Sequence, residues 1–184
     1  MVEHSTTQGS LQDRLVDCAL TLLEAGEADV SLRAVARAAG VSAMAPYRHF
    51  EDKSALMAAV ALRGFAMMEA NARAADAGDD AAAALTAQGE AYIAFARGHP
   101  ALFRLMFADG AGLTLPHEKC GGGYALMAGR VAQLAPERAK AGALACWGLA
   151  HGLATLALDG RLPPDPAAER AALELMARAL SPRA

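Results

Sequence analysis

Aromatic side chains are scarce in this 184-residue chain, 5% of it, although 54% is hydrophobic. Alanine supplies much of the difference; it is the best helix former and a poor core filler, so the composition favours closely packed helices. The β-branched alternation that marks a strand is missing throughout. Together these place the chain in the all-α class. Cysteine is scarce as well: Cys18, Cys120 and Cys146 lack the spacing of a metal knuckle or a disulfide framework. The opening MVEHSTTQGS has no apolar signal-peptide core. A cytoplasmic protein with reduced thiols is expected. An excess of positive charge is also lacking, since the net charge is −3. That excludes a generally basic nucleic-acid binder but not a local contact face.

What is present is concentrated in Ser31 to Phe50, SLRAVARAAGVSAMAPYRHF. Leu32, Val35, Ala36 and Ala39 recur at helical spacing, so the opening helix of this stretch has a single apolar face. Ser31 precedes that run as an N-cap, and Gly40 follows it where a left-handed residue ends a helix. Val41 returns the chain to the core, and Ser42 is placed to cap a second helix. Helix, glycine turn and helix is the pattern in which the second helix enters a DNA major groove. The segment holds no Asp or Glu, and Arg33, Arg37, Arg48 and His49 carry its potential positive charge. Ala43 and Met44 offer apolar contacts, for example to thymine methyls; only Arg48 has an obvious capacity for guanine readout. Pro46, near the fourth helical position, removes an early intrahelical bond and predicts a tilted or 3₁₀-like first turn.

The rest of the chain reads as helices between clear breaks. Residues 1–9 are expected to be a disordered arm. Ser10 caps a first helix whose stripe is Leu11, Leu15, Cys18, Ala19 and Leu22, ended by Gly26. A long helix is predicted from Lys53 to about Ala75, capped by Asp52, and another from about Ala81 to Arg97. His99-Pro100 opens a short one, because proline suits the first helical position. Residues 108–123 form a glycine-rich irregular piece without the Lys-Ser/Thr of a phosphate-binding loop. Helices follow over Tyr124–Leu134, from Pro136 through Leu158, and from Asp165-Pro166 to about Leu180. Ala141 to Leu158 is uncharged and nearly long enough to span a bilayer. Its alanine and glycine content and a central His151 favour a soluble helix buried on both sides.

Gly40-Val41-Ser42, Tyr47-Arg48-His49-Phe50 and Asp52-Lys53 closely resemble the DNA-binding signature of TetR-family transcriptional regulators, over about Leu11 to Leu62. HPALFRLMF (99–107) and WGLAHG (147–152) resemble the TetR C-terminal domain type named for its Trp-His-Gly motif. The resemblance implies a helix-turn-helix head over 10–56 and a ligand-binding and dimerisation body over 57–184, about nine helices in all. It implies a repressor that binds double-stranded operator DNA, dimerises through its last two helices, and leaves DNA when a small apolar effector binds. No cofactor, metal or membrane is implied. The DNA-facing set is Ser31, Arg33, Ser42, Ala43, Met44, Pro46, Tyr47, Arg48, His49 and Lys53, with Tyr47, His49 and Lys53 on phosphates and Phe50 as a core plug. The effector set is Phe103, Met106, Phe107, Met127, Trp147 and His151. Phe65, Met67, Tyr92 and Phe95 are further candidate walls, and Tyr92 and Cys146 further polar handles. Ala143, Ala150, Gly152, Ala154 and Ala157 are expected to let two long helices approach closely at the dimer interface.

Two other functions compete. An all-α enzyme would have to draw on His99, His117, Cys120 and His151, which lack the paired-His-plus-Glu spacing of a zinc site. A redox sensor would use Cys120, a lone loop cysteine with no adjacent base.

Overall fold

A computed structural model of the protein describes residues 10–27, 29–108 and 121–181. The expected disordered arm, and His117 and Cys120, lie outside the described residues.

Local signals in the sequence account for where the helices begin. At the start of α1 (Leu11–Glu24) the Ser10 hydroxyl accepts from the Asp13 N–H at 3.1 Å, and Asp13 accepts from the Ser10 N–H at 3.2 Å. Such a reciprocal pair satisfies two orphan donors and is worth about 1 kcal/mol. Ser31 caps α2 (Leu32–Ala38) one way only, its hydroxyl accepting from the Ala34 N–H at 3.3 Å. Asp52 caps α3 (Lys53–Ala75), Asp80 caps α4 (Ala81–Gly98), and α5 (Pro100–Met106) starts on its proline. Then come α6 (Gly122–Leu134), α7 (Ala139–Leu158) and α8 (Pro166–Leu180), the last capped by Asp165. Two 3₁₀ turns, Pro46–Arg48 and Pro136–Arg138, complete the set; no strand occurs among the described residues. The fold is all-α, as the sequence suggests, with eight α-helices among the described residues.

The helix expected from Ser42 does not form as an α-helix. Ser42 to Ala45 form a turn closed by the Ala45 N–H on the Ser42 carbonyl, at 2.9 Å. A 3₁₀ turn, Pro46–Arg48, follows. Pro46 has no N–H to continue an α-helical ladder, so the chain takes the tighter i→i−3 bonds. The expected irregular first turn is the whole element.

α4 lies at the centre of the body, against α3, α5, α6, α7 and α8, while α1 packs on α2, α3 and α5. One core runs from Leu15, Val35 and Phe50 through Leu56, Val60 and Phe65 to Phe103, Ala154 and Leu173. It crosses 56/57 without a break because α3 belongs to both ends. The Glu24 carboxylate ties α1 to α5 by accepting the Leu102 N–H at 3.0 Å.

Pro136–Leu158 is long and apolar enough to cross a membrane by length and composition, with mean hydropathy 1.5. Only 22% of its most apolar stretch is buried inside the chain. The expectation of burial on both sides is corrected: Ala143, Ala150 and Ala154 are buried, while Leu144, Trp147 and Leu156 are exposed. The small residues expected at a dimer interface therefore lie, in these three cases, inside the single chain. They allow α7 to approach its own neighbours, while Leu144, Trp147 and Leu156 keep much of their surface uncovered.

Candidate DNA-contact face and effector cavity

The head is set by a few specific contacts. Gly40 adopts φ +67°, which costs glycine little. Its N–H bonds the Arg37 carbonyl while the Val41 N–H reaches Ala36, the paired-bond ending of an α-helix. Arg14 of α1 donates to the Ala39 carbonyl at 3.0 Å, so α1 also holds the C-terminus of α2. Phe50 is buried in the core, as the plug reading requires.

This framework leaves Arg33, Ser42, Ala43, Met44, Tyr47, Arg48, His49 and Lys53 exposed, with Ser31 half-buried. Met44 is 66% exposed, unusual for so apolar a side chain. Arg33, Arg37 and Arg48 make no ion pair among the described residues. Lys53 does: its Nζ lies 2.9 Å from Asp29 Oδ1, both groups being largely exposed. Pro46 is a correction. Its ring is among the fully buried side chains, so it packs the head from inside and offers no surface.

The body contains a cavity of about 440 Å³ bounded by α3, α4, α6, α7 and α8. Phe65, Met68, Tyr92, Phe107, Met127 and Trp147 supply its larger apolar walls, and Tyr124 packs edge-on to Trp147 with centroids 6.0 Å apart. Of the expected effector set, Phe107, Met127 and Trp147 are in the wall. Phe103 and Met106 are not: they are 3% and 5% exposed, core residues behind it. His151 also stands behind it. Its Nδ1 lies 2.8 Å from the Tyr92 hydroxyl, and its ring packs against Phe107 at 4.8 Å. Of the other candidates, Phe65, Tyr92 and Cys146 line the cavity, whereas Met68 takes the place expected for Met67 and Phe95 is buried elsewhere in the core.

Burial lowers the His151 pKa and raises those of Tyr92 and Cys146, since each charged form loses water. At neutral pH all three are uncharged. The direction of the bond between the Tyr92 hydroxyl and His151 Nδ1 follows the tautomer of the imidazole. A thiol whose pKa is pushed up is a poor nucleophile. Among the described residues no group of three or more His, Cys, Asp or Glu can hold a metal.

Sequence reasoning missed Gln88. It is 5% exposed and belongs to the cavity wall. Its Nε2 donates to Asp76 Oδ1 at 2.9 Å, and Arg130 Nε donates to the same oxygen at 2.8 Å. Gln88 Oε1 is buried and has no hydrogen-bond partner among the described residues. An orphaned acceptor of this kind costs about 1–3 kcal/mol. The only signal in the sequence is one amide amid the alanines of α4.

Comparison with known proteins agrees with this architecture. Residues 15–60 match the family described as bacterial regulatory proteins, tetR family. Residues 85–180 match the domain described as tetracyclin repressor-like, C-terminal domain. No curated protein sequence matches the chain. A solved structure of a protein with unknown function from Rhodococcus sp. RHA1 is 34% identical, with a TM-score of 0.80, over 98% of this chain and 100% of that one. A bacterial regulatory protein in the tetR family from Rhodococcus RHA1 is 21% identical, with a TM-score of 0.65, over 96% and 100%. A TetR variant from Acinetobacter baumannii AYE in complex with minocycline shares 19% identity over 90% and 91%, with a TM-score of 0.61. The last two show the fold alone. Matched at its head and across most of its body, the chain belongs to the TetR family of transcriptional regulators.

Proposed function

We propose that this regulator is a dimeric repressor released from its operator by a small, mainly apolar molecule bound in the body. The observation that carries the reading is the path of α3. One helix of 23 residues has Lys53 at its N-terminus, in the head, and Phe65, Met68 and Ala72 in the cavity wall. At 1.5 Å per residue it spans about 34 Å. A change of wall shape therefore acts on the element that carries a DNA-facing residue. An effector that binds the DNA-incompetent arrangement more tightly shifts the population toward it.

On DNA, Tyr47, His49, Arg33 and Lys53 serve as phosphate contacts that fix position, supported by the Ser31 and Ser42 ends of the turn. Ala43 and Met44 meet base edges through apolar contact, and Arg48 is the polar reader. Pro46 takes no part in the surface. The exposed face of α7 and α8 pairs two copies: Leu144 and Leu175, 62% and 64% exposed, are too apolar to be left in water together. Pairing sets two heads against half-sites one helical turn apart.

The test is an anisotropy titration against duplex DNA from the protein's own upstream intergenic region, at about 50 and about 200 mM salt. Tyr47→Ala and Lys53→Ala are each expected to weaken binding roughly tenfold, as loss of a charge-assisted contact does. Lys53→Ala should also lower the salt slope by about one. Asp29→Asn should tighten binding at low salt, because Asp29 competes with phosphate for Lys53. Wild-type binding no tighter than to random DNA, there and in a genome-wide selection, would remove the operator reading.

A further inference from the structure

We propose that the cavity takes an uncharged aromatic molecule carrying one O–H or N–H donor, and that this donor pairs with Gln88 Oε1. The proposal rests on reading the body as the effector domain, and it adds the chemical class that the wall selects.

Three observations point the same way. Five of the wall residues are aromatic, Phe65, Tyr92, Phe107, Tyr124 and Trp147, so flat ring systems find edge and face partners there. Among the described residues no Asp, Glu, Lys, Arg or His belongs to the wall, so these residues offer a charged occupant no counter-charge. Two polar groups of the wall are already engaged. The Tyr92 hydroxyl is bonded to His151 at 2.8 Å, and Gln88 Nε2 to Asp76 at 2.9 Å. The buried side-chain oxygen left without a partner among the described residues is that of the Gln88 amide.

The orientation of that amide is fixed by chemistry. Asp76 is paired with Arg130 at 2.8 Å, so its carboxylate is an acceptor only. Exchanging the two ends of the Gln88 amide would aim a carbonyl at a carboxylate. Nε2 therefore stays on Asp76 and Oε1 keeps its need for a donor. Oε1 is shielded from water, so an occupant reaches it only as the wall side chains covering it shift, a common response at binding sites. A site with a buried polar group waiting in this way discriminates strongly against molecules that lack the matching group.

Calorimetric titration of the full chain without DNA tests this, using para-phenylphenol, para-fluorobiphenyl and para-phenylbenzoate as probes. In the wild type the phenol should bind about tenfold more tightly than its fluoro counterpart, the effect of one hydrogen bond. The carboxylate should bind more weakly than either. In Gln88→Met the ratio of phenol to fluoro affinity should fall to about one. Equal affinities in the wild type, no binding of the phenol, or a preference that survives Gln88→Met would each overturn the proposal. The wild-type comparison stands even if the variant does not fold. Because no DNA is present, failure here is separate from failure of the operator reading, which would appear as lost DNA binding by the ligand-free protein.

Discussion

At the scale of single residues, the sequence is most informative where a side chain acts through local geometry. Ser10, Ser31, Asp52, Asp80 and Asp165 cap the helices that their positions announce, because a cap depends on neighbours three residues away. Residues that act through distant partners are harder to read. His151 has the pattern of a ligand handle; it is a neutral base held by Tyr92 from another helix. Its burial has a consequence for stability. The folded chain resists protonating His151 below the ordinary value of 6.5, while the unfolded chain does not. The unfolded state then binds more protons, so stability falls as pH drops through that value and below. Urea unfolding at several pH values should show the wild type losing stability across this range and His151→Gln losing less. Parallel losses in the two proteins would show that another group titrates.

At the scale of elements, helix ends are legible and helix faces much less so. The breaks at Gly26, Gly40, residues 76–80 and Gly160 fall where turn chemistry puts them. The third head element differs in kind from its pattern: a helix-length run with Pro46 inside it becomes a turn and a 3₁₀ turn. Glycines within helices separate by what surrounds them, which no local pattern reveals. A Cβ at Gly142 would lie 2.7 Å from Val131 Cγ1 and 2.9 Å from Leu180 Cδ2, where α6, α7 and α8 meet. Val131 is fully buried and cannot yield. Gly142→Ala should therefore destabilise the protein by about 1–3 kcal/mol. At Gly129, exposed on α6, a Cβ would meet nothing within 4 Å. Gly129→Ala should stabilise by up to about 1 kcal/mol, through helix propensity alone. Denaturation midpoints that move in the same direction would refute this account of the packing.

At the scale of the whole molecule, the main issue is what covers the outer face of α7 and α8. Leu144→Glu with Leu175→Glu should convert a dimer into a monomer in sedimentation experiments. Operator affinity should fall well over tenfold, since one head then binds without the other. A double variant that stays dimeric would move the interface elsewhere. The sequence by itself determined the class, the helix order, the turn after α2 and the family, because these rest on composition, periodicity and a contiguous motif. Only the tertiary structure decided which side of α7 is inside, that Pro46 is a core residue, that Phe103, Met106 and His151 stand behind the cavity wall, and that Gln88 stands in it with an oxygen unpaired among the described residues. Those facts depend on which distant helices meet, and the 3.6-residue period that reveals an apolar face does not say what that face will touch.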